Sequence, residues 1–416
     1  MKVLVIGSGG REHAIIYKLK KDKRIKEVFC ARGNAGISKI ATLVDIDEND
    51  TKSLIDFVKK ENIDLTIVGP EVPLVNGIVD EFEKENLKIF GPNKECAKLE
   101  GSKSFCKDFL VRHNINTAKY KEYTDVNLAI KEIDGFGYPV VIKADGLCGG
   151  KGVLICKNRQ EAIQGLKEIM DNKVFKTAGD KVVVEEFLEG IEMSVLAFVD
   201  NNSIVPMVSA KDHKKVFNGE KGLNTGGMGT FSPSDIYTEN LEKRIKIDIL
   251  DKTLEGFKKD NLNFKGVLFV GLMVNDGVPK VLEFNTRFGD PETQVVLTRL
   301  ETELVDIIEA ILNNSLDKID IKYTKKECVC VILSSWGYPE KYEIEKEIYG
   351  LENLDDDIVV YHSGTKLKDG KLVTNGGRVL GITCLDSSVE VASNKVYENI
   401  KKINFENMHF RTDIGR

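Results

Sequence analysis

A short stretch of the chain carries the residues of greatest chemical interest, in the sequence VLEFNTRFGDPE from Val281 to Glu292. Its apolar start predicts a β-strand, and because side chains alternate along a strand, Glu283, Asn285 and Arg287 should share one face. A carboxylate and a carboxamide two residues apart offer the hard oxygen ligands that suit Mg²⁺ held on nucleotide phosphates. An arginine one step further can clamp a phosphate or a carboxylate. The alternative is the polar face of an edge strand with a salt bridge.

The opposite face of the same strand should pack against the protein interior. Alternation assigns Leu282, Phe284 and Phe288 to that face. The turn that follows contains Asp290 and leads into a helical pattern from Thr293 to Leu312. We therefore expect a charged turn between the metal-binding face of the strand and a long helix.

A glycine-rich loop, ADGLCGGKG from Ala144 to Gly152, lies between two predicted strands. Such loops fold over phosphates because their backbone N–H groups can approach the oxygens, and Gly149 and Gly150 provide this flexibility here. The flanking Lys143 and Lys151 carry point charges that suit phosphate. The loop is not a P-loop, because its glycines lead into a strand instead of a helix. A mobile loop without chemistry is the alternative, which the two lysines disfavour.

A second strand end supplies acidic residues. Glu185, Glu186 and Leu188 follow the apolar run KVVV, and Glu192 comes shortly afterwards. The backbone of a strand end can donate to and accept from an adenine edge, and the Glu192 carboxylate can accept hydrogen bonds from ribose hydroxyls. A solvated acidic strand end is the alternative for each residue taken alone.

Another glycine-rich segment, NTGGMG from Asn224 to Gly229, follows the tripeptide DHK that begins at Asp212. Backbone N–H groups around Gly226 and Gly227 can cradle a carboxylate or a tetrahedral intermediate. A plain surface loop explains the same sequence equally well.

The chain opens with a strand-like run and a glycine loop, KVLVIGSGG. Gly9 and Gly10 would let backbone N–H groups approach an anion at the N-terminus of the next helix. A dinucleotide fingerprint requires a glycine where Glu12 stands and an acidic residue where Arg32 stands. These two departures disfavour an NAD-binding site. They leave an NADP-linked oxidoreductase as an alternative and favour the binding of a small phosphate-bearing substrate. A tight turn without any ligand is the structural alternative.

The elements that must position these residues begin with alternating strand and helix patterns. The strand patterns lie at Val3–Ile6, Val28–Cys30, Leu65–Val68 and Lys88–Phe90. The helix patterns between them lie at Glu12–Leu19, Ser53–Lys59 and Leu74–Lys84. They predict an N-terminal doubly wound parallel-sheet α/β domain over residues 1–102, with ligands at the carboxyl ends of its strands.

Hairpin-like strand pairs follow, and they predict a second domain over residues 103–315 with a small flap subdomain at about 120–190. Within it, Asn275-Asp276-Gly277 is a strong hairpin-turn signal. Over residues 325–416, strand patterns precede a helix at Val389–Ile400, which predicts a small α+β domain.

Composition excludes several classes of protein. The 416 residues have a formal net charge of −6, so phosphates must be bound by local pockets instead of a general attraction to nucleic acid or anionic membranes. No apolar run reaches membrane-spanning length. The eight cysteines form no CxxC pair, which favours free thiols and a cytoplasmic location. We expect a monomer that binds small molecules, with neither nucleic acid nor membrane as a partner.

Taken together, these motifs resemble the ATP-grasp ligases, and within them the phosphoribosylamine–glycine ligase family of purine biosynthesis. The similarity runs along the whole chain and rests on these segments: VLVIGSGGREHA, IVGPEVPLVNGIVD, GPNKECAKLEGSK, VEEFLEG, NTGGMG, LEFNTRFGDPETQ and TNGGRVL. The stretch RFGDPETQ is the most specific of them. The resemblance implies an ATP-grasp fold in the middle of the chain, between the N-terminal domain and the C-terminal domain.

By this resemblance, ATP lies under the 145–152 flap. Its phosphates are contacted by Lys103, Lys143, Gly149, Gly150 and Lys151. The adenine is held by the segment from Glu185 to Leu188, which includes Glu186. Glu192 holds the ribose, while Glu283 and Asn285 hold Mg²⁺ or Mn²⁺.

The resemblance also implies where the other substrates bind. The residues assigned to 5-phosphoribosylamine and glycine are Gly9, Gly10, Glu71, Asp212, Gly226, Gly227 and Arg287. The catalytic set is Arg287, Lys143 and Asp290. Glycine would attack the γ-phosphorus of ATP to give glycyl phosphate, and the amine of 5-phosphoribosylamine would then attack the acyl carbon. Another ATP-grasp carboxylate–amine ligase is the alternative.

The sequence departs from the family pattern at three places. The flap reads Leu147-Cys148-Gly149-Gly150, Leu223 stands where proline is expected before NTGG, and the strand before the 281–285 strand carries no carboxylate. We expect these differences to change affinity and the number of metal ions, with the class of reaction unaltered.

Overall fold

The N-terminal part of the chain forms a five-stranded parallel sheet flanked by helices, in a computed structural model that describes all residues from 1 to 416. The strands run in the order β3-β2-β1-β4-β5. They are β1 Lys2–Gly7, β2 Glu27–Arg32, β3 Thr42–Val44, β4 Leu65–Val68 and β5 Ile89–Phe90. The helices are α1 Gly10–Leu19, α2 Thr51–Glu61, α3 Glu71–Asn76, α4 Ile78–Lys84 and α5 Lys94–Gly101. The predicted doubly wound parallel sheet is confirmed.

Two details of this sheet differ from the sequence prediction. The short strand β3 was missed, because it has only three residues and its side chains are largely exposed. The single helix predicted from Leu74 to Lys84 is two helices, α3 and α4, because Gly77 adopts a left-handed conformation with φ of 95° between them. Glycine tolerates this conformation, which ends a helix.

The flap is a four-stranded sheet with strand order β6-β9-β7-β8. Its strands are β6 Tyr120–Tyr123, β7 Val140–Ala144, β8 Val153–Cys156 and β9 Val182–Glu186, and the neighbouring helices are α6 Lys103–Arg112, α7 Val126–Glu132 and α8 Arg159–Met170. The antiparallel pair β7 and β8 holds the glycine-rich loop at one end, with Lys143 opposite Val153. The predicted strand–loop–strand arrangement is therefore present.

A second four-stranded sheet, which we call the central sheet, has the order β11-β10-β16-β17. Its strands are β10 Ile191–Val199, β11 Ile204–Pro206, β16 Gly266–Asn275 and β17 Val278–Asn285; the helices are α9 Glu239–Ile245, α10 Lys252–Lys259, α11 Glu292–Arg299 and α12 Leu304–Leu312. A π-helical turn joins α9 to α10. Strands β16 and β17 form the predicted hairpin. The single helix predicted from Thr293 to Leu312 is wrong, since the chain is extended at Leu300 and Glu303 between α11 and α12.

The C-terminal sheet combines strands from two distant parts of the chain. Its order is β12-β15-β18-β22-β19, with β23 beside β18, and β12 and β15 come from the segment that precedes α9. The strands of this region are β12 Lys211–Asp212, β13 Lys215–Phe217, β14 Lys221–Asn224, β15 Gly229–Ser232, β18 Glu327–Ser335, β19 Ile358–His362, β20 Thr365–Lys368, β21 Lys371–Thr374, β22 Arg378–Asp386 and β23 Met408–His409. Helix α13, Val389–Ile400, covers the sheet.

Helix α11 lies between the N-terminal part and the C-terminal sheet. It contacts α1 of the N-terminal part and strands β15, β18 and β22 of the C-terminal sheet. Seven of its eight residues are buried, including the polar Glu292, Thr293 and Gln294. A single apolar core of 32 buried residues joins Val3, Phe288 and Ile332 and thus spans all three regions. The turn that precedes α11, where the charged residues lie, is therefore fixed by packing from every side. None of the helices is long and apolar enough to traverse a bilayer.

Candidate functional site

A cavity of about 490 Å³ lies between the flap and the central sheet. The N-terminal part, the flap, the central sheet and the C-terminal sheet all contribute to its walls. The charged residues of the lining are Arg11, Glu71, Glu100, Lys103, Lys143, Glu185, Glu186, Glu192, Asp212, Lys214, Glu283, Arg287, Asp290, Glu292 and Arg378. Opposite charges thus meet in one concave site, which is typical of a catalytic or ligand-binding cleft.

The flap contributes a lysine that is held in place by ion pairing. The Nζ atom of Lys143, at the end of β7, lies 2.9 Å from Oε1 of Glu185 on β9. It also donates to the backbone carbonyl of Leu282 at 3.2 Å. Burial opposes ionisation of Lys143, but the charges of Glu185 and Glu283 outweigh it and raise its pKa. The side chain is therefore a fixed cation at the wall of the cavity.

Lys103 is positioned by the start of helix α6. Ser102 caps this helix by accepting from the N–H of Phe105 at 3.1 Å. Asp145, at the base of the flap, accepts from the N–H of Ser104 at 2.6 Å and from the Ser102 hydroxyl at 3.2 Å. These bonds tie the flap to the helix, so Lys103 and Lys143 both line the cavity.

The flap loop itself is open. Gly149 and Gly150 have φ of 56° and 76°, and a Cβ atom at either position would meet nothing within 4 Å. Both residues line the cavity. Lys151, which the sequence assigned to phosphate, is exposed and lies outside the lining. The structure therefore does not bring Lys151 together with Lys103 and Lys143 at the cavity wall, and its contact with phosphate stays a prediction.

The segment predicted to hold adenine and ribose lines the cavity, but its carboxylates already have partners. Glu185 is 2% exposed and pairs with both Lys143 and Lys107, the latter at 2.9 Å. Glu186 accepts from the N–H of Lys119 at 3.1 Å. Glu192 pairs with Lys214. Leu188 offers an apolar surface at the same end of the cavity.

The face of β17 differs from simple alternation because the strand contains a β-bulge. Glu283 lies opposite Gly271, whereas Val281 lies opposite Leu272, so Leu282 is an extra residue. Val281 and Phe284 consequently enter the same core cluster, although they are three residues apart. Leu282 lines the cavity beside Glu283. The prediction that Leu282 belongs to the packed face is therefore wrong.

Glu283 and Asn285 both reach the cavity, and their chemistry suits a divalent cation. Asn285 Nδ2 lies 3.4 Å from Oε1 of Glu283. Burial opposes ionisation of Glu283, but the positive charges of Lys103, Lys214 and Lys143 outweigh it and lower its pKa to about 2. Glu283 is thus a permanent carboxylate beside a carboxamide. Because Mg²⁺ is usually bound by one or two carboxylates together with substrate phosphates and water, the donor set fits such an ion.

Arg287 connects the central sheet to the N-terminal part. Its guanidinium lies 3.0 Å from a Glu100 oxygen and 3.4 Å from a Glu71 oxygen. Its Nη2 also donates to Oδ1 of Asn285 at 3.1 Å. Arg287 therefore orients the amide of Asn285 and lies at the cavity wall.

Asp290 joins three parts of the chain. Its carboxylate accepts from the N–H of Arg11 at 3.2 Å and from Gln294 at 2.9 Å, and it lies 3.3 Å from Arg378 of β22. Burial opposes its ionisation, but Arg378 and Arg11 outweigh burial and lower its pKa. The protein itself supplies all of these partners, so Asp290 is held firmly at the cavity wall. The catalytic role that the resemblance implies for Asp290 stays a prediction.

The N-terminal glycine loop is filled by the protein itself. The N–H of Gly9 donates to the Glu12 carboxylate at 2.6 Å. A Cβ atom at Gly7 would lie 2.7 Å from the same side chain. Gly9 and Gly10 do not line the cavity. The buried Glu12 side chain takes the position at the start of α1 where an anion was expected, and the contact of Gly9 and Gly10 with substrate stays a prediction.

The NTGG loop reaches the cavity through Gly226. Its N–H donates to the Tyr338 hydroxyl at 2.8 Å, and its carbonyl accepts from Arg378 at 2.6 Å. Gly227 lies behind it, outside the lining. Gly227 has φ of 113°, and a Cβ atom there would come within 2.4 Å of Pro291 and 2.7 Å of Asp212. It is required for packing, while Gly226 faces the ligand space.

Sequence models of one family match the three parts of the chain in order. They are the phosphoribosylglycinamide synthetase N domain at residues 1–100, the ATP-grasp (A) domain at residues 101–293 and the C domain at residues 328–416. The chain belongs to the phosphoribosylglycinamide synthetase family. The resemblance inferred from the motifs is confirmed.

Curated relatives agree over the full length. The chain is 47% identical to the phosphoribosylamine–glycine ligase of Fusobacterium nucleatum, over 100% of this chain and 98% of that protein. It is also 47% identical to the corresponding ligase of Caldanaerobacter subterraneus, over 100% and 99%.

Solved structures show the same family and, more distantly, the same fold. The phosphoribosylamine–glycine ligase of Thermotoga maritima matches with a TM-score of 0.87 and 34% identity, over 99% of this chain and all of that one. The biotin carboxylase domain of 2-oxoglutarate carboxylase from Hydrogenobacter thermophilus, solved with MgADP, ADP and bicarbonate, matches with a TM-score of 0.75 and 16% identity, over 98% and 91%. The second match establishes the ATP-grasp fold alone.

Several charged or polar residues in or beside the cavity were missed in the sequence. They are Arg11, Glu100, Lys107, Lys214, Glu292, Tyr338 and Arg378. All of them except Lys107 and Tyr338 stand inside motifs that the sequence had already singled out, so those motifs carried a signal. Lys107 and Tyr338 stand outside every such motif and reach the site only through the tertiary fold.

Proposed function

We propose that this protein joins glycine to 5-phosphoribosylamine, with hydrolysis of ATP to ADP and phosphate and formation of glycinamide ribonucleotide through glycyl phosphate. The observation that supports it best is the cavity in which the cationic end of the flap faces Glu283 and Asn285 across a space lined by every domain. Membership of the phosphoribosylglycinamide synthetase family agrees with this chemistry.

The phosphoryl-transfer step relies on position and charge. Lys103 and Lys143 face the ligand space from the helix start and the flap, and both are suited to triphosphate oxygens. The open Gly149–Gly150 loop can close over the phosphates and exclude water that would hydrolyse an acyl phosphate. Neither a Ser–His–Asp nor a Cys–His arrangement lines the cavity, so the carboxylate of the substrate is itself the nucleophile.

A divalent cation belongs to this proposal. Glu283 and Asn285 would hold Mg²⁺ or Mn²⁺, which neutralises phosphate charge when bound. Glu283 stays ionised throughout the neutral range, because the three surrounding lysines keep its pKa near 2. Asn285 presents its amide in an orientation fixed by Arg287.

The opposite end of the cavity would receive the acyl acceptor. There Glu71, Arg287 and Gly226 face the ligand space, and Asp290 and Arg378 hold the walls together. This end suits a polar ribose phosphate with a free amine. We place the reaction in a single chain, because one copy supplies residues from every wall of the cavity. We place it in the cytoplasm because all eight cysteines are free thiols.

The test is ADP release from ATP and Mg²⁺ with a panel of amino acids, with and without 5-phosphoribosylamine. The expected result is turnover that requires both glycine and the phosphoribosylamine and that produces glycinamide ribonucleotide in equal amount to ADP. Turnover with a different carboxylate and amine pair, and none with glycine, would identify another ATP-grasp ligase and reject the proposal.

A further inference from the structure

The hairpin of β13 and β14, from Lys215 to Asn224, projects outwards from the wall of the cavity. Its base lines the cavity on both sides, with Lys214 before β13 and Thr225 after β14. The N–H and the hydroxyl of Thr225 donate to the carbonyl of Lys214 at 2.7 Å and 2.8 Å. Within the hairpin only Val216 is buried. Because a two-stranded hairpin is marginally stable by itself, its position depends on contacts with other parts of the chain.

A segment almost 200 residues further along the chain supplies these contacts. We call residues 411–413 the clamp segment. The N–H of Thr412 donates to Oδ1 of Asn218 at 3.0 Å, and its hydroxyl accepts from Nδ2 of the same residue at 2.6 Å. The carboxylate of Asp413 accepts from the N–H of Gly219 at 2.8 Å. The clamp segment thus holds the turn of the hairpin by both side chains and backbone.

Arg411 is the centre of the clamp segment. Its side chain is 1% exposed, although it is charged. Its guanidinium donates to the carbonyl of Lys215 at 3.0 Å, to Glu220 at 2.7 Å and to Asp413 at 2.8 Å. Lys215 directly follows Lys214, and Glu220 lies in the turn of the hairpin. The rigid fork of one arginine therefore joins the base of the hairpin, its turn and the clamp segment.

The clamp segment is itself fixed to the C-terminal sheet. Ile414, which follows it, is fully buried in the apolar core of that sheet. The N–H of Ile414 donates to the Tyr397 hydroxyl at 2.9 Å, and its carbonyl accepts from the Ser393 hydroxyl at 3.1 Å. The Tyr397 hydroxyl also donates to the carbonyl of Arg411 at 3.1 Å. Helix α13, which carries Tyr397 and Ser393, is thus the support from which the clamp segment reaches the hairpin.

We propose that the clamp segment, through Arg411, is a positioning element that holds the hairpin so that Lys214 stands at the nucleotide end of the cavity. There Lys214 pairs with Glu192, and its charge helps to lower the pKa of Glu283. Arg411 does not line the cavity, so it acts through the hairpin without contacting a substrate. This inference rests on the proposed function, because that function assigns this end of the cavity to ATP and its metal ion.

The glycine loop that follows the hairpin is held by other contacts. The N–H of Gly226 donates to the Tyr338 hydroxyl at 2.8 Å, and its carbonyl accepts from Arg378 at 2.6 Å. A hairpin released from the clamp segment should therefore displace Lys214 and leave Gly226 in place. The expected loss concerns ATP and spares glycine, whereas a general loosening of the fold would weaken both.

The test uses the full-length protein and the variant Glu220→Ala, which removes the contact of Arg411 with the hairpin turn. The Glu220 side chain is 56% exposed, so its loss should not prevent folding. With the other substrates saturating, we expect the KM for ATP to rise by about 5-fold or more and the KM for glycine to change by less than about 2-fold. The Kd of a non-hydrolysable ATP analogue with Mg²⁺, measured by titration calorimetry, should rise by the same factor. Arg411→Met should have a larger effect in the same direction.

The matched control is Glu345→Ala, which should alter none of these constants. Glu345 also pairs with basic side chains of a hairpin, Lys366 and Lys368, but lies outside the cavity. Its φ of 65° is close to the 55° of Glu220, so the two substitutions have the same effect on the backbone.

An unchanged KM for ATP in Glu220→Ala, or an equal rise of the KM values for ATP and glycine, would overturn the inference. If Arg411→Met fails to fold, Glu220→Ala decides alone. Absence of turnover with glycine in the unaltered protein would instead reject the proposed function. The calorimetric comparison would then decide the inference, since an unchanged Kd of the ATP analogue in Glu220→Ala would overturn it.

Discussion

The Nζ atom of Lys143 lies 2.9 Å from Oε1 of Glu185, and both side chains are almost excluded from solvent. The second oxygen of Glu185 lies 2.9 Å from Nζ of Lys107. One carboxylate thus holds two buried lysines, and one of these lysines faces the cavity. The end of the cavity that we assign to phosphate is built without any ligand, because the strand pairing of β7 with β9 brings Lys143 and Glu185 together.

Replacing Glu185 by glutamine should destabilise the protein markedly. The substitution keeps the shape of the side chain but removes the carboxylate that pairs with the buried Lys107 and leaves the buried Lys143 with the charge of Glu283 alone. We expect the free energy of unfolding, measured by urea denaturation, to fall by about 3 kcal/mol. The matched control is Glu85→Gln, which breaks an exposed ion pair with Lys59 and should cost less than about 1 kcal/mol. Equal effects of the two changes would show that the buried pair contributes no special stability.

Replacing Glu283 by alanine should abolish catalysis while the fold persists. The change removes one of two oxygen ligands that we assign to the divalent cation, so kcat should fall by at least about 100-fold. The measurement is ADP release over a range of Mg²⁺ concentrations, with thermal unfolding as a check on folding. Turnover close to that of the unaltered protein would refute the assigned role.

Gly227 should not tolerate a side chain. Alanine there adopts a left-handed backbone conformation and collides with Pro291 and Asp212, at 2.4 Å and 2.7 Å. Gly219 is a matched control, because it is also left-handed, with φ of 67°, but has open space around its Cβ position. We expect Gly219→Ala to cost about 1 kcal/mol and Gly227→Ala to cost clearly more, measured by urea denaturation. Equal costs would mean that the Gly227 loop can move away.

Acid should weaken the contact between the N-terminal part and the C-terminal sheet. His13 of α1 accepts, through Nδ1, from the N–H of His362 of β19 at 2.9 Å. Burial lowers the pKa of His13 from 6.5 to about 4 and that of His362 to about 3. Both rings are neutral in the folded protein, and the unfolded chain takes up protons first as pH falls. Stability is therefore complete above pH 6.5 and is lost as pH falls towards 4.

The variant His13→Asn tests this pH dependence, because an amide oxygen can replace the Nδ1 acceptor and does not titrate. The free energy of unfolding should fall less steeply in the variant than in the unaltered protein between pH 6.5 and pH 4. Parallel curves would show that His13 does not contribute to acid sensitivity.

The sequence predicted the fold class of each domain and the residue types of the cavity better than it predicted the contacts between those residues. Glu283 and Asn285 were assigned correctly to the cavity-facing side of β17, because a carboxylate and an amide two residues apart must share a face. Leu282 was misplaced, since no local signal marks the bulge opposite Gly271.

Contacts between domains could not be predicted from spacing along the chain. Arg378 reaches Asp290 and Gly226 across 88 and 152 residues, and only the packing of the C-terminal sheet on α11 brings them together. The N-terminal glycine loop shows the opposite case. Its glycines indicated an anion, and the Glu12 carboxyl group of the same loop accepts the Gly9 N–H in that place. Burial raises the pKa of Glu12 to about 7, so this group is not a fixed negative charge at neutral pH.

The most direct test of this account is a crystal structure with a non-hydrolysable ATP analogue, Mg²⁺ and glycine. We expect the triphosphate beneath the flap, near Lys103 and Lys143, with a metal ion bound by oxygens of Glu283 and Asn285. A nucleotide bound against the Gly7–Gly10 loop, or a metal ion with Glu283 and Asn285 turned away from it, would contradict the account.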